Sequence, residues 1–120
     1  MKHQFNDKPR IFKPLKGLEL KDMGTINLSP EEQITFEIKP GRSCDIVRKE
    51  WGFYLSGNSI NATLKERGLK TALIISYASN PPRLYINLVE ENKMDIYIQY
   101  LKNFNAKVIC WLDEWCKTCE

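Results

Sequence analysis

The sequence predicts an α+β fold of the ferredoxin-like kind, a β-α-β-β-α-β unit with an antiparallel sheet. Three observations carry that expectation. Thr71–Tyr77 contains an apolar run on both faces, as an inner strand requires. Asn80-Pro81-Pro82 then forces a turn into a second strand, Leu84–Glu90. Finally, Lys93–Phe104 reads as an amphipathic helix, with Met94, Tyr97, Ile98, Leu101 and Phe104 on one stripe, and leads into a strand at Lys107–Leu112.

The first half of that unit follows from shorter signals. Cys44–Glu50 begins as an apolar strand and becomes charged toward its end. Gly52 and Gly57 bracket a loop over Trp51–Asn58. A short helix over Ser59–Arg67 has Asn58 or Ser59 as N-cap, Ile60 and Leu64 on one face, and Gly68 at the C′ position. Upstream, Ile26 and Leu28 precede a Ser29-Pro30-Glu31-Glu32 turn, after which Ile34, Phe36 and Ile38 alternate with polar residues. That pattern predicts an N-terminal β-hairpin over 24–39, ended by Pro40-Gly41. Residues 1–21 lack sustained periodicity and read as a basic N-terminal arm, which leaves 22–120 as a single α+β domain.

Charge is unevenly placed along the chain. The net charge of +3 comes from the arm, where six basic residues face two acidic ones. The remainder is nearly neutral, with 12 basic and 13 acidic residues. A nucleic-acid binder concentrates Lys and Arg on one face of the fold. The strand Leu84–Val89 also has one aromatic and no RNA-recognition signature, so no nucleic-acid partner is expected. No run approaches the length of a membrane span, and Met1–Lys21 has no apolar signal core. A cytoplasmic protein with reduced cysteines is the expectation.

Catalytic signatures are sparse. Cys116 and Cys119 form a CxxC, yet Cys44, Cys110 and His3 supply no second close pair, so no metal site and no cofactor are expected. Cys44 and Cys110 lie in strands and read as small core residues. His3 is the only histidine and lies in the arm, which removes the usual base for a nucleophilic triad. Asp113 and Glu114 read as solvated charges. There is no Gly-rich phosphate loop.

The richest cluster runs from Arg48 to Asn61. It offers Trp51, Tyr54, Asn58, Ser59 and Asn61 as ligand-binding candidates beside a helix N-terminus. A purely architectural reading stands beside that one: Trp51 and Phe53 fill the edge of the core, while Asn58 and Ser59 only cap the helix.

The runs Cys44–Tyr54, Ser59-Ile60-Asn61, Gly68–Ile74, Leu88-Val89-Glu90 and Val108–Asp113 resemble a small family of bacterial proteins. Its members are encoded among genes for surface-polysaccharide and sugar-nucleotide biosynthesis. The resemblance implies a context and assigns no catalytic residue. The resulting expectation is a non-catalytic accessory or binding protein, acting through the 51–61 loop on a sugar-nucleotide or a polysaccharide-biosynthesis enzyme. The alternative is a small sugar-modifying enzyme using Asp45 or Glu50 with Tyr54. Strands that are apolar on both faces further predict a homodimer, unless the N-terminal hairpin covers the open sheet face.

Overall fold

A computed structural model describes residues 1–56, 60 and 62–115. Among these the chain is α+β. Its strands are β1 (Lys2–Leu15), β2 (Leu18–Asn27), β3 (Gln33–Lys39), β4 (Arg42–Lys49), β5 (Gly52–Ser56), β6 (Leu69–Ser76), β7 (Arg83–Glu90) and β8 (Ala106–Trp111). The helices are α1 (Thr63–Glu66), α2 (Met94–Asn103) and α3 (Leu112–Trp115). Two compact units result. One comprises Met1–Ile34 with Ile46–Tyr54, and the other Thr35–Asp45 with Leu55–Glu120.

In the first unit, β1 and β2 form a long antiparallel hairpin, from Lys2 opposite Asn27 to Leu15 opposite Leu18. Residues 1–21 are therefore a strand and the start of its partner, and the boundary expected after Lys21 falls inside β2. The ladder breaks between Phe5 and Arg10 and again between Phe12 and Leu15. Each break contains one proline, Pro9 or Pro14, which has no N–H to give to a ladder. Asp22 organises the first break. Its carboxylate accepts from the Gly24 N–H at 3.0 Å and from the Arg10 guanidinium at 3.1 Å. The Gly24 amide, followed by Arg10, holds that carboxyl below its ordinary pKa. Gly24 itself has φ +133°, and a Cβ there would lie 2.2 Å from the Gln4 carbonyl oxygen, so only glycine fits.

The hairpin expected over 24–39 is not formed. Ile26 pairs with β1, while β3 pairs with β4 across Pro40-Gly41, so that dipeptide closes a hairpin instead of ending one. The Ser29–Glu32 turn docks on β4 instead. The Glu31 N–H donates to the Arg48 carbonyl at 2.7 Å, and the Arg48 N–H donates to the Glu32 carbonyl at 2.9 Å. The segment expected as a loop after Trp51 begins with β5, which gives a sheet of order β3-β4-β5.

The second unit is built on β6. Five of its eight residues are buried, and β7 and β8 flank it antiparallel in the order β7-β6-β8. Ala72, Ile74 and Leu101 form the core, with Tyr97, Ala106, Val108 and Trp111 packed against it. Leu101 and Tyr97 of α2 face the sheet as the helical stripe requires, whereas Ile98 is exposed. Gly68 takes φ +79° after α1 and donates its N–H to the Lys65 carbonyl at 3.0 Å, as expected of a C′ glycine.

This arrangement departs from the ferredoxin-like order, in which the strand at 44–50 would lie inside the same sheet as 84–90 and 107–112. Here β4 has both edges filled by β3 and β5, its neighbours across tight turns, so β6 takes the central place. The ends of β6 are completed by other groups. The β8 ladder stops at Trp111 opposite Ala72, and the next β6 amide, Thr71 N–H, donates to Asp113 Oδ1 of α3 at 3.1 Å. Asp113 is only 2% exposed, so it is a buried cap on the ladder and not the solvated charge expected. At the other end Ser76 Oγ donates to the Phe104 carbonyl at 3.1 Å, and the Tyr77 N–H donates to the Asn105 carbonyl at 2.9 Å.

Replacing Asp113 by Ala leaves the Thr71 amide buried without an acceptor. We expect a loss of about 1–3 kcal/mol in urea unfolding, with Asp113→Asn milder because it keeps an acceptor oxygen. Tyr97 gives a pH signature. Its hydroxyl donates to Asn87 Oδ1 at 2.7 Å, and burial, with a smaller effect of Tyr100, pushes its pKa up to about 12. An unfolded tyrosine ionises near about 10, so the folded state holds this proton more tightly. The stabilisation is complete below that value and is lost as pH rises through about 12. The advantage of the wild type over Tyr97→Phe in urea midpoint therefore shrinks across that alkaline window.

Candidate functional site

The hairpin tip between β4 and β5 carries the candidate site. Glu50 and Trp51 make the turn, and Gly52 follows at φ +147°, a conformation other residues rarely adopt. The tip presents its aromatics outward. Trp51 is 71% exposed, Phe53 62% and Tyr54 42%. These values overturn the reading in which Trp51 and Phe53 fill the core edge. The rings of Trp51 and Tyr54 lie 6.0 Å apart between centroids at 20° to each other, a near-parallel offset arrangement.

Charged groups frame this aromatic surface. Lys49 Nζ lies 2.6 Å from Glu31 Oε1, and the hydrogen bond from this ammonium to Glu31 raises the Lys49 pKa. Tyr54 is close enough to act on the same ammonium. Arg48 places its guanidinium 5.9 Å from the centroid of Phe53, with Nη1 buried and without a hydrogen-bond partner. An aromatic plate beside a neutral ion pair suits a ligand with an apolar face and hydroxyl edges, or an aromatic-seeking protein surface. Asn58, Ser59 and Asn61, expected to complete the site, lie outside the described residues. So do Cys116 and Cys119.

The two acid–base carboxylates differ in their surroundings. Asp45 is 7% exposed, and both its oxygens are engaged, accepting from Thr35 Oγ1 at 2.7 Å and from Arg67 Nη1 at 3.2 Å. It belongs to the second unit and Tyr54 to the first. Glu50 is exposed at the tip. His3 stacks on Phe5 at 4.7 Å in β1. Cys44 and Cys110 are half-buried, and burial, with Asp45 adding to it, pushes the Cys44 thiol up. Sequence reasoning missed two features, the Lys49–Glu31 pair and the Asp113–Thr71 contact. The first joins residues far apart in sequence, and the only local hint of the second was an acidic residue directly after an apolar strand.

Comparison with known proteins returns no match: no family model, no curated protein and no solved structure is similar to this chain. Among the described residues no helix is long and apolar enough to cross a membrane.

Because Trp51 projects into solvent, Trp51→Ala is expected to change the unfolding free energy by less than about 0.5 kcal/mol. A core aromatic would cost about 3–5 kcal/mol, so a urea titration separates the two roles.

Proposed function

We propose that this chain is a non-catalytic accessory or binding protein in surface-polysaccharide or sugar-nucleotide metabolism. It works in the cytoplasm and contacts a sugar-nucleotide or a polysaccharide-biosynthesis enzyme through the 51–61 segment. The observation that carries this reading is the solvent-facing Trp51, stacked on Tyr54 beside the Lys49–Glu31 pair. Leaving large aromatic faces in water is costly, and such surfaces are enriched where ligands and partners bind. Two aromatic residues on one short hairpin also lose little freedom on binding, because the turn already holds them.

The enzymatic alternative needs a free carboxylate near Tyr54. Asp45 is spoken for by Thr35 and Arg67, which weighs against it as general base and leaves Glu50, exposed at the tip, as the carboxylate this alternative would use. Turnover of a nucleotide-sugar by the purified protein, abolished by Tyr54→Phe, would nonetheless decide for an enzyme.

The binding reading is tested by titrating a panel of nucleotide-sugars and glycans, and a lysate of a polysaccharide-producing bacterium, against the full chain. The expected outcome is binding that Trp51→Ala weakens by at least about tenfold, the loss of roughly 1.4 kcal/mol of contact. Its melting temperature should stay unchanged. Binding that survives both Trp51→Ala and Tyr54→Ala would move the site away from the hairpin tip.

A further inference from the structure

The free edge of β7 differs from the opposite edge of its sheet. β8 is short, and the shift in its register with β6 leaves Ile109 unopposed, with Lys107 near its start. Those are the usual devices that stop a strand from pairing with another chain. By contrast, β7 runs through eight consecutive regular pairs with β6, from Arg83 opposite Ser76 to Glu90 opposite Leu69. No charged residue lies between its two ends. It has no second neighbour among the described strands. Leu84 and Ile86 are each 61% exposed, and Tyr85 is exposed beside them. Residues 86–90 border a largely apolar groove of about 420 Å³ walled by Ile38, Lys93, Ile96, Tyr97 and Tyr100. A protruding apolar segment and an apolar groove thus lie on one strand, as a self-complementary surface requires.

We propose that this edge is a homodimer interface, in which two copies pair β7 antiparallel about a two-fold axis through Asn87. Side chains alternate between sheet faces, so an axis perpendicular to the sheet must pass through a residue and not between two. Centring on Ile86 would set Arg83 against Val89 and Glu90 against Pro82, leaving the end charges unmatched. Centring on Asn87 brings Arg83 to Glu91 of the second copy, the residue directly after β7 at the start of a 3-10 turn, twice. Both residues are exposed and form no ion pair among the described residues. Ile86 then meets Leu88, Tyr85 meets Val89, and Leu84 to Leu88 of one copy enter the groove of the other. Leu84 also meets Glu90, whose carboxylate already faces Arg42 at 3.6 Å within its own chain. The pairing satisfies the open backbone groups of both edges and makes one continuous six-stranded sheet.

Sedimentation velocity of the full chain across a concentration series tests this. We expect a dimer, with Ile86→Lys raising the dissociation constant on the order of a hundredfold. Arg83→Glu or Glu91→Arg alone should weaken it about tenfold, and the double reversal should restore it. Should Ile86→Lys perturb folding by circular dichroism, the charge reversals, made at exposed positions, still decide. A chain that stays monomeric throughout, including one that takes up a strand of another protein at this edge, overturns the proposal. So does a dimer indifferent to these substitutions, or a double reversal that fails to restore pairing.

Discussion

The second unit depends on satisfying β6. Five of its eight residues, drawn from both faces, are buried and the others are half-buried, so its amides and carbonyls need partners within the protein. Every neighbour answers that requirement. β7 supplies a full ladder on one edge, and β8 supplies a partial one on the other. Where β8 turns into α3, a carboxylate takes over as acceptor for Thr71, and where β6 ends, Ser76 and Tyr77 reach the carbonyls of Phe104 and Asn105. α2 covers one face through Tyr97 and Leu101. The cost of an unpaired amide in a dry interior explains why so polar a residue as Asp113 is among the most buried of the described residues.

The first unit is governed by local closure. Pro9 and Pro14 fall where the β1–β2 ladder is already interrupted, so the hairpin tolerates residues that ordinarily read as strand breakers. Gly24 passes too close to the Gln4 backbone for any side chain. The same economy shapes the hairpin tip. A tight turn at Glu50-Trp51 holds the aromatics in place, while the main-chain bonds between Glu31, Glu32 and Arg48 and the Glu31–Lys49 ion pair fasten β4 to the preceding turn. The strand arrangement is compatible with many activities and assigns none by itself.

Arg42 and Arg67 illustrate how charge is used inside the second unit. Arg42 reaches Glu90 and Asn92 and lies where a side chain on Gly68 would project, 2.7 Å from the Cβ position. Arg67 bonds Asp45 and the Ser43 carbonyl. Gly68 therefore serves twice, as the left-handed end of α1 and as the space that admits a guanidinium. Both arginines are matched by acids, whereas Arg48 at the hairpin tip of the first unit has Nη1 buried without a hydrogen-bond partner among the described residues.

Much of the second unit was legible from residue order. The doubly apolar run in β6, the proline turn before β7, the stripe of α2 and the C′ role of Gly68 are consequences of local periodicity and backbone geometry, which a sequence states directly. The partners of each strand were not legible. β4 carries a strand pattern compatible with several neighbours, and only the competition among edges showed that β3 and β5 occupy it first, which displaced the ferredoxin-like order. Residues 1–21 hid a strand because prolines and lysines mask a weak alternation. Asp113, expected in solvent, lies buried, and of the two readings open for Trp51 the exposed one holds. Between Leu69 and Trp111 the sequence by itself determined which segments extend, coil or turn, since those preferences act over a few residues. Tertiary structure alone decided which edges meet and which side chains lose water, because burial and pairing depend on groups distant in the chain.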